Sequence, residues 1–176
     1  MGVHVEIQYV DTYDLTRLGQ EVHGHASINQ FERLIYDLPE QDDSQVSWTV
    51  KGELDAFGQR FLSVRIKATP TLECQRCMQP FLLPVDAESR LQVVKSEADL
   101  DVDDATADEA DDPIERILGS QRFDVLALVE DELILSLPYV PKHQVCPSLP
   151  ASLEEEPDAG EARPSPFAVL DQLKKN

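Results

Sequence analysis

The stretch QVSWTVKGELDAFGQRFLSVRIKA, Gln45 to Ala68, decides the fold. Val46, Trp48 and Val50 alternate with Ser47, Thr49 and Lys51; Leu62, Val64, Ile66 and Ala68 alternate with Ser63, Arg65 and Lys67. A period of two with β-branched and aromatic residues on one side describes a half-buried strand. Ala56–Gln59 supplies a glycine-containing turn, so the two strands form a hairpin. Both apolar sets must face one side, which requires a loop of odd length if the ladder has no bulge. That register sets Lys51 near Arg65 on the outer face, with Lys67 close by. It is a small basic cluster, or else an ordinary solvated strand face.

On the N-terminal side, Ser27 is a helix cap with Gln30 three residues on, as a capping box requires. Ile28, Phe31, Leu34, Ile35 and Leu38 follow at helical spacing, and Pro39 closes the run. One helix is therefore expected from Ser27 to Leu38. The first 25 residues carry no clear period. On the C-terminal side, TLECQRCMQPF (Thr71–Phe81) leads into a strand over Leu82–Val94, with an edge or break at Pro84.

Between Glu97 and Asp112, nine of sixteen residues are acidic and none is Lys or Arg. Such a run repels itself, so a mobile loop is expected. It lacks the glycine of a calcium-binding EF-hand loop. Asp124 then caps a well-buried helix with Leu126, Val129, Leu133 and Leu137 on one face, ended by Pro138. From 138 the chain is loop-rich. A short last helix begins at Ser165 and Pro166, with Phe167, Leu170 and Leu173 as its stripe. The fold class expected is α+β: an antiparallel sheet with packed helices, in a single domain over 1–176.

The 176 residues hold 34 Asp and Glu against 15 Lys and Arg, a net charge of -19. Nucleic-acid binders neutralise phosphates with basic surface. A chain this acidic repels RNA at long range and attracts basic proteins; solubility alone is the other reading of the charge. The start, MGVHVEIQYVD, lacks the basic and apolar regions of a signal peptide, and no apolar run approaches the ~20 residues of a membrane span. A cytoplasmic location is expected.

Cys74 and Cys77 form a C-x-x-C pair, a spacing that can aim two thiolates at one zinc ion. His143 and Cys146, spaced H-x-x-C, would complete a Cys3His tetrahedron stapling distant segments. Zinc knuckles favour glycine after the second cysteine, where Met78 stands. Reduced, inert thiols are the competing reading. A redox pair is disfavoured because strands flank the cysteines and Glu73 precedes them. Neither thiol is then expected to be unusually acidic. His4, His23 and His25 have no nucleophile nearby in sequence, and there is no P-loop, dinucleotide fingerprint or nucleophile elbow. Arg76, inside the C-x-x-C, joins Lys51, Arg65 and Lys67 as candidate contacts to RNA or a partner.

Three blocks in order resemble the YceD family of large ribosomal RNA accumulation proteins. TLECQRCMQPF is similar to its central C-x-R-C segment. FDVLALVEDELILSLPYVP (Phe123–Pro141) is similar to its Asp-capped helix ending in Leu-Pro. PSPFAVLDQLKKN is similar to the tail of proteobacterial members. The resemblance implies a non-enzymatic role in synthesis, processing or stability of large-subunit (23S) ribosomal RNA. Other branches carry more cysteines after the Leu-Pro helix, where this chain keeps His143 and Cys146. Joined to the charge, the resemblance points to action on the large-subunit precursor through a basic ribosomal protein. The competing functions are a zinc-stabilised adaptor outside ribosome assembly and a thiol oxidoreductase.

Overall fold

The computed structural model describes residues 8–100 and 114–147. The described residues up to 144 form one compact unit, and beyond it Val145–Pro147 are described. The acidic residues from 101 to 112, and the last helix expected from Ser165, lie outside the described residues.

The elements run β1 (Tyr9–Val10), α1 (Thr12–Leu18), β2 (Glu21–Ser27), α2 (Glu32–Ile35), β3 (Gln45–Leu54), β4 (Arg60–Ala68), β5 (Thr71–Glu73), β6 (Pro80–Leu82), β7 (Val85–Val94), β8 (Arg116–Leu118), β9 (Phe123–Asp124) and α3 (Val125–Ser136). A five-stranded sheet has the order β2-β3-β4-β7-β8. Its pairs are antiparallel except β7 with β8, which is parallel. The fold is α+β, with a mixed rather than wholly antiparallel sheet.

The hairpin has the register that its alternation demands. Trp48 faces Ile66 and Val50 faces Val64 across an odd loop, Asp55–Gln59. The Asp55 carboxylate accepts the N–H of Phe57 and of Gln59, which closes the turn, and Gly58 takes the positive φ there. Val46, Val50, Leu62, Val64, Ile66 and Leu91 are all buried on one face of the sheet. The helices cover that face. At Gly52 an added Cβ would run into the α1 backbone at Leu15, so glycine is what lets α1 lie directly on β3.

Two sequence readings change. The single helix expected over Ser27–Leu38 is a 3-10 turn, Ile28–Gln30, then the four-residue α2, with Phe31 between them at φ -95°, ψ 78°. Ser27 does cap the turn, accepting the N–H of Asn29. The break has a tertiary cause: the Glu130 carboxylate on α3 accepts the N–H of Arg33 and Leu34, so α2 begins on a side chain from elsewhere. Ile28, Phe31 and Leu34 still enter the core, with Phe31 edge-on to Trp48. The unassigned N-terminus also has order. Asp11 caps α1, Gly19 ends it in the left-handed region, and β1 pairs with β9.

Candidate metal centre

β5 and β6 form a two-stranded ribbon whose turn is Cys74–Gln79. The turn closes through Cys74 N–H to the Gln79 carbonyl (3.0 Å) and Met78 N–H to the Cys74 carbonyl (2.8 Å). Met78 has φ 55°, alone among the described non-glycine residues in being positive. It occupies the position that zinc knuckles give to glycine, at a cost of about 1–2 kcal/mol for a side chain in the left-handed region.

The segment after α3 folds back over this turn. The Pro141 carbonyl accepts the Gln75 N–H at 2.9 Å, and the His143 carbonyl accepts from Arg76 Nη2 at 2.7 Å. These bonds hold His143 between the cysteines. Its N–H points at Cys74 Sγ (3.4 Å), its Nδ1 lies 3.4 Å from Cys77 Sγ, and its ring packs on Phe81 with centroids 4.8 Å apart. One ligand atom each from Cys74, Cys77 and His143 lies within 4.8 Å of the others, and Cys146, beyond residue 144, is buried. None of the three cysteines is held in a disulfide. Zinc bound tetrahedrally would set S···N edges at about 3.6 Å and S···S edges at about 3.8 Å, given its usual bond lengths. The Cys77–His143 separation is therefore close to a zinc-binding geometry, and thiols with an imidazole are a soft donor set suited to that ion.

Burial acts to raise the Cys74 thiol. The backbone N–H groups of His143, Arg76 and Cys77, with the His143 side chain, outweigh it and hold Cys74 down at about 5. The expectation that neither thiol is unusually acidic fails for Cys74, because the His143 N–H and then the turn amides of Arg76 and Cys77, rather than a helix terminus, stabilise the thiolate. Cys74 is nonetheless fully buried. A thiolate without access to a substrate disulfide is a ligand rather than a nucleophile.

The four candidate contact residues are placed differently. Lys51, Arg65 and Lys67 do share the open face of the sheet, but each has a carboxylate partner: Glu53, Glu88 and Asp86. Arg76 is turned onto the His143 carbonyl. His23 and His25 lie on β2 across from Thr49 and Ser47; His4 lies outside the described residues. Sequence spacing pointed to the four candidate metal ligands. It gave no sign of Gln75, Pro141 and Phe81, which position them across more than sixty residues of chain.

A family model described as "Large ribosomal RNA subunit accumulation protein YceD" matches residues 62–174, a span that includes all four ligand candidates. A curated protein of Haemophilus influenzae bearing the same description is 32% identical over 164 residues, covering 86% of each chain. No solved structure matches.

Proposed function

Because this chain belongs to the YceD family, we propose that it is a cytoplasmic, non-enzymatic ribosome-biogenesis factor supporting synthesis, processing or stability of large-subunit ribosomal RNA, and that it acts through a basic ribosomal protein. The RNA half of this reading rests on the name of the Haemophilus relative. The protein half rests on electrostatics. With a net charge of -19, and with Lys51, Arg65 and Lys67 each paired to a carboxylate, the described surface offers little to a phosphate backbone. A basic protein is attracted by the same charge. Unassembled ribosomal RNA is degraded, so delivering one protein to the precursor would protect the RNA without touching it.

Zinc is the cofactor we propose for Cys74, Cys77, His143 and Cys146. Its role is structural: it joins the β5–β6 turn to the segment after α3, and four protein ligands leave no open position for chemistry. A thiol oxidoreductase is disfavoured by the burial of Cys74. Among the described residues no helix is long and apolar enough to cross a membrane.

The test pairs binding with gradient profiles of ribosomal particles from cells lacking the protein. Expected are a deficit of large subunits, tight binding to a basic large-subunit protein, and weak, steeply salt-dependent binding to naked large-subunit RNA. Tight RNA binding at physiological salt, with no protein partner, would reverse the proposed mechanism. A normal subunit profile would favour an adaptor outside ribosome assembly.

A further inference from the structure

The cysteine turn and the segment after α3 together leave an apolar surface open to water. Tyr139 is 97% exposed, Met78 61%, Leu82 56% and Val140 49%. The two segments are tied side by side by Gln75, which donates its N–H to Pro141 and its side chain to the Tyr139 carbonyl. An open groove is lined by Leu83, Pro84 and Pro138, the chain neighbours of Leu82 and Tyr139. Exposed apolar side chains gathered on two tied segments are candidates for an interaction site.

Met78 sharpens the point. Glycine would hold the same bend without strain, yet the chain keeps a long, flexible and solvent-exposed side chain there. Strain retained at an exposed residue fits a site where the side chain is used, and a methionine adapts its shape to an apolar partner.

We propose that Met78, Leu82, Tyr139 and Val140 form the docking surface for a cationic polypeptide, which lays apolar side chains on them. This deepens the reading above and rests on it. The charge selects the occupant. A second copy of this chain brings another -19, and RNA is anionic, so both are repelled on approach. Exposed Glu73 stands at the base of the turn, Asp86 in the groove pairs with Lys67, and Arg76 and Lys142 lie on the same two segments, so the net charge of the chain rather than a local rim favours a cation. The apolar centre then supplies residence time, and the net negative charge supplies encounter rate.

The experiment titrates the full-length chain with each purified basic protein of the large ribosomal subunit in turn, and with naked large-subunit RNA. It compares wild type with Met78→Gly, Tyr139→Ser and, as a control on the distant hairpin, Phe57→Ser. One basic protein is expected to bind wild type and Phe57→Ser alike. It should lose about tenfold in affinity for Met78→Gly and for Tyr139→Ser. Neither variant should melt lower, since Met78→Gly relieves strain and Tyr139 is almost wholly exposed. A basic protein that binds every variant equally overturns the surface but leaves the proposed function standing. Absence of any basic binder overturns both. Self-association lost in Tyr139→Ser, or RNA binding lost in it, overturns the proposal in favour of a second copy or of RNA.

Discussion

His143 contacts Cys77 side chain to side chain, Nδ1 to Sγ at 3.4 Å, across 66 positions of sequence. Zinc held by this pair with Cys74 and Cys146 is expected at one ion per chain in purified protein. Cys77→Ser should lower the metal content and remove several kcal/mol of stability, because structural zinc binding is coupled to folding. Elemental analysis with thermal melts before and after chelation makes the check. Metal-free protein whose melting is indifferent to chelator would exclude a structural zinc site.

Met78→Gly should leave stability unchanged or raise it by up to ~1 kcal/mol, as relief of the left-handed strain exceeds the extra freedom of glycine in the unfolded chain. Met78→Val should lose about 1–2 kcal/mol, since a β-branched residue tolerates this conformation least. Urea unfolding of both variants reads the difference. Equal stability of the glycine and valine variants would mean that the bend opens in solution.

Glu130→Ala should lose about 1–3 kcal/mol, the cost of leaving the N–H groups of Arg33 and Leu34 without their carboxylate. Arg33→Ala should lose less, because its guanidinium is half exposed and its ion pairs are screened. Amide exchange localises the effect: Glu130→Ala should speed exchange in α2 specifically. Unchanged exchange there would show that α2 does not depend on this cap.

Glu132 should make stability depend on pH in the direction opposite to an ordinary ion-paired carboxylate. Burial raises its pKa, the Ser89 hydroxyl works against this, and Glu115 and Asp131 add to the rise. The fold therefore favours the protonated form. That contribution is full below the ordinary carboxylate range and is lost as pH rises through the folded value. Glu132→Gln keeps an acceptor for Ser89 and removes the charge. It should melt above wild type at pH 7, with the gap closing towards pH 4. A gap that stays constant across this range would rule out ionisation as its source.

Period-two alternation was enough to place β3 and β4, because burial of one face fixes both strand and register. The Asp124 cap and Pro138 stop bounded α3 for the same local reason, and its Ala127 N–H does reach Asp124. Local signals failed where a distant group decides the outcome. The stripe from Ile28 to Leu38 has helical spacing, but Glu130 arrives from α3 to start a new helix at Glu32. At the metal centre the ligand types and the H-x-x-C spacing were legible. The lowered pKa of Cys74 was not, because it comes first from the His143 N–H, brought in from the segment after α3, and then from the Arg76 and Cys77 amides of the folded turn. Lys51, Arg65 and Lys67 looked like a basic cluster until β7 supplied Glu88 and Asp86 beside two of them.

The ladder between β1 and β9, Tyr9 opposite Asp124 and Val10 opposite Phe123, has a consequence for folding during synthesis. The β3–β4 hairpin can form as soon as Ala68 leaves the ribosome, and β7 can join it some twenty-five residues later. The part of the core face that α1 does not cover stays open until α3 emerges, because α3 lies far along the chain from the strands it packs on. Closure of so long a loop is slow, and the nascent sheet meanwhile exposes apolar surface. The last elements of the unit, rather than its first hairpin, therefore set when the newborn chain becomes safe from aggregation.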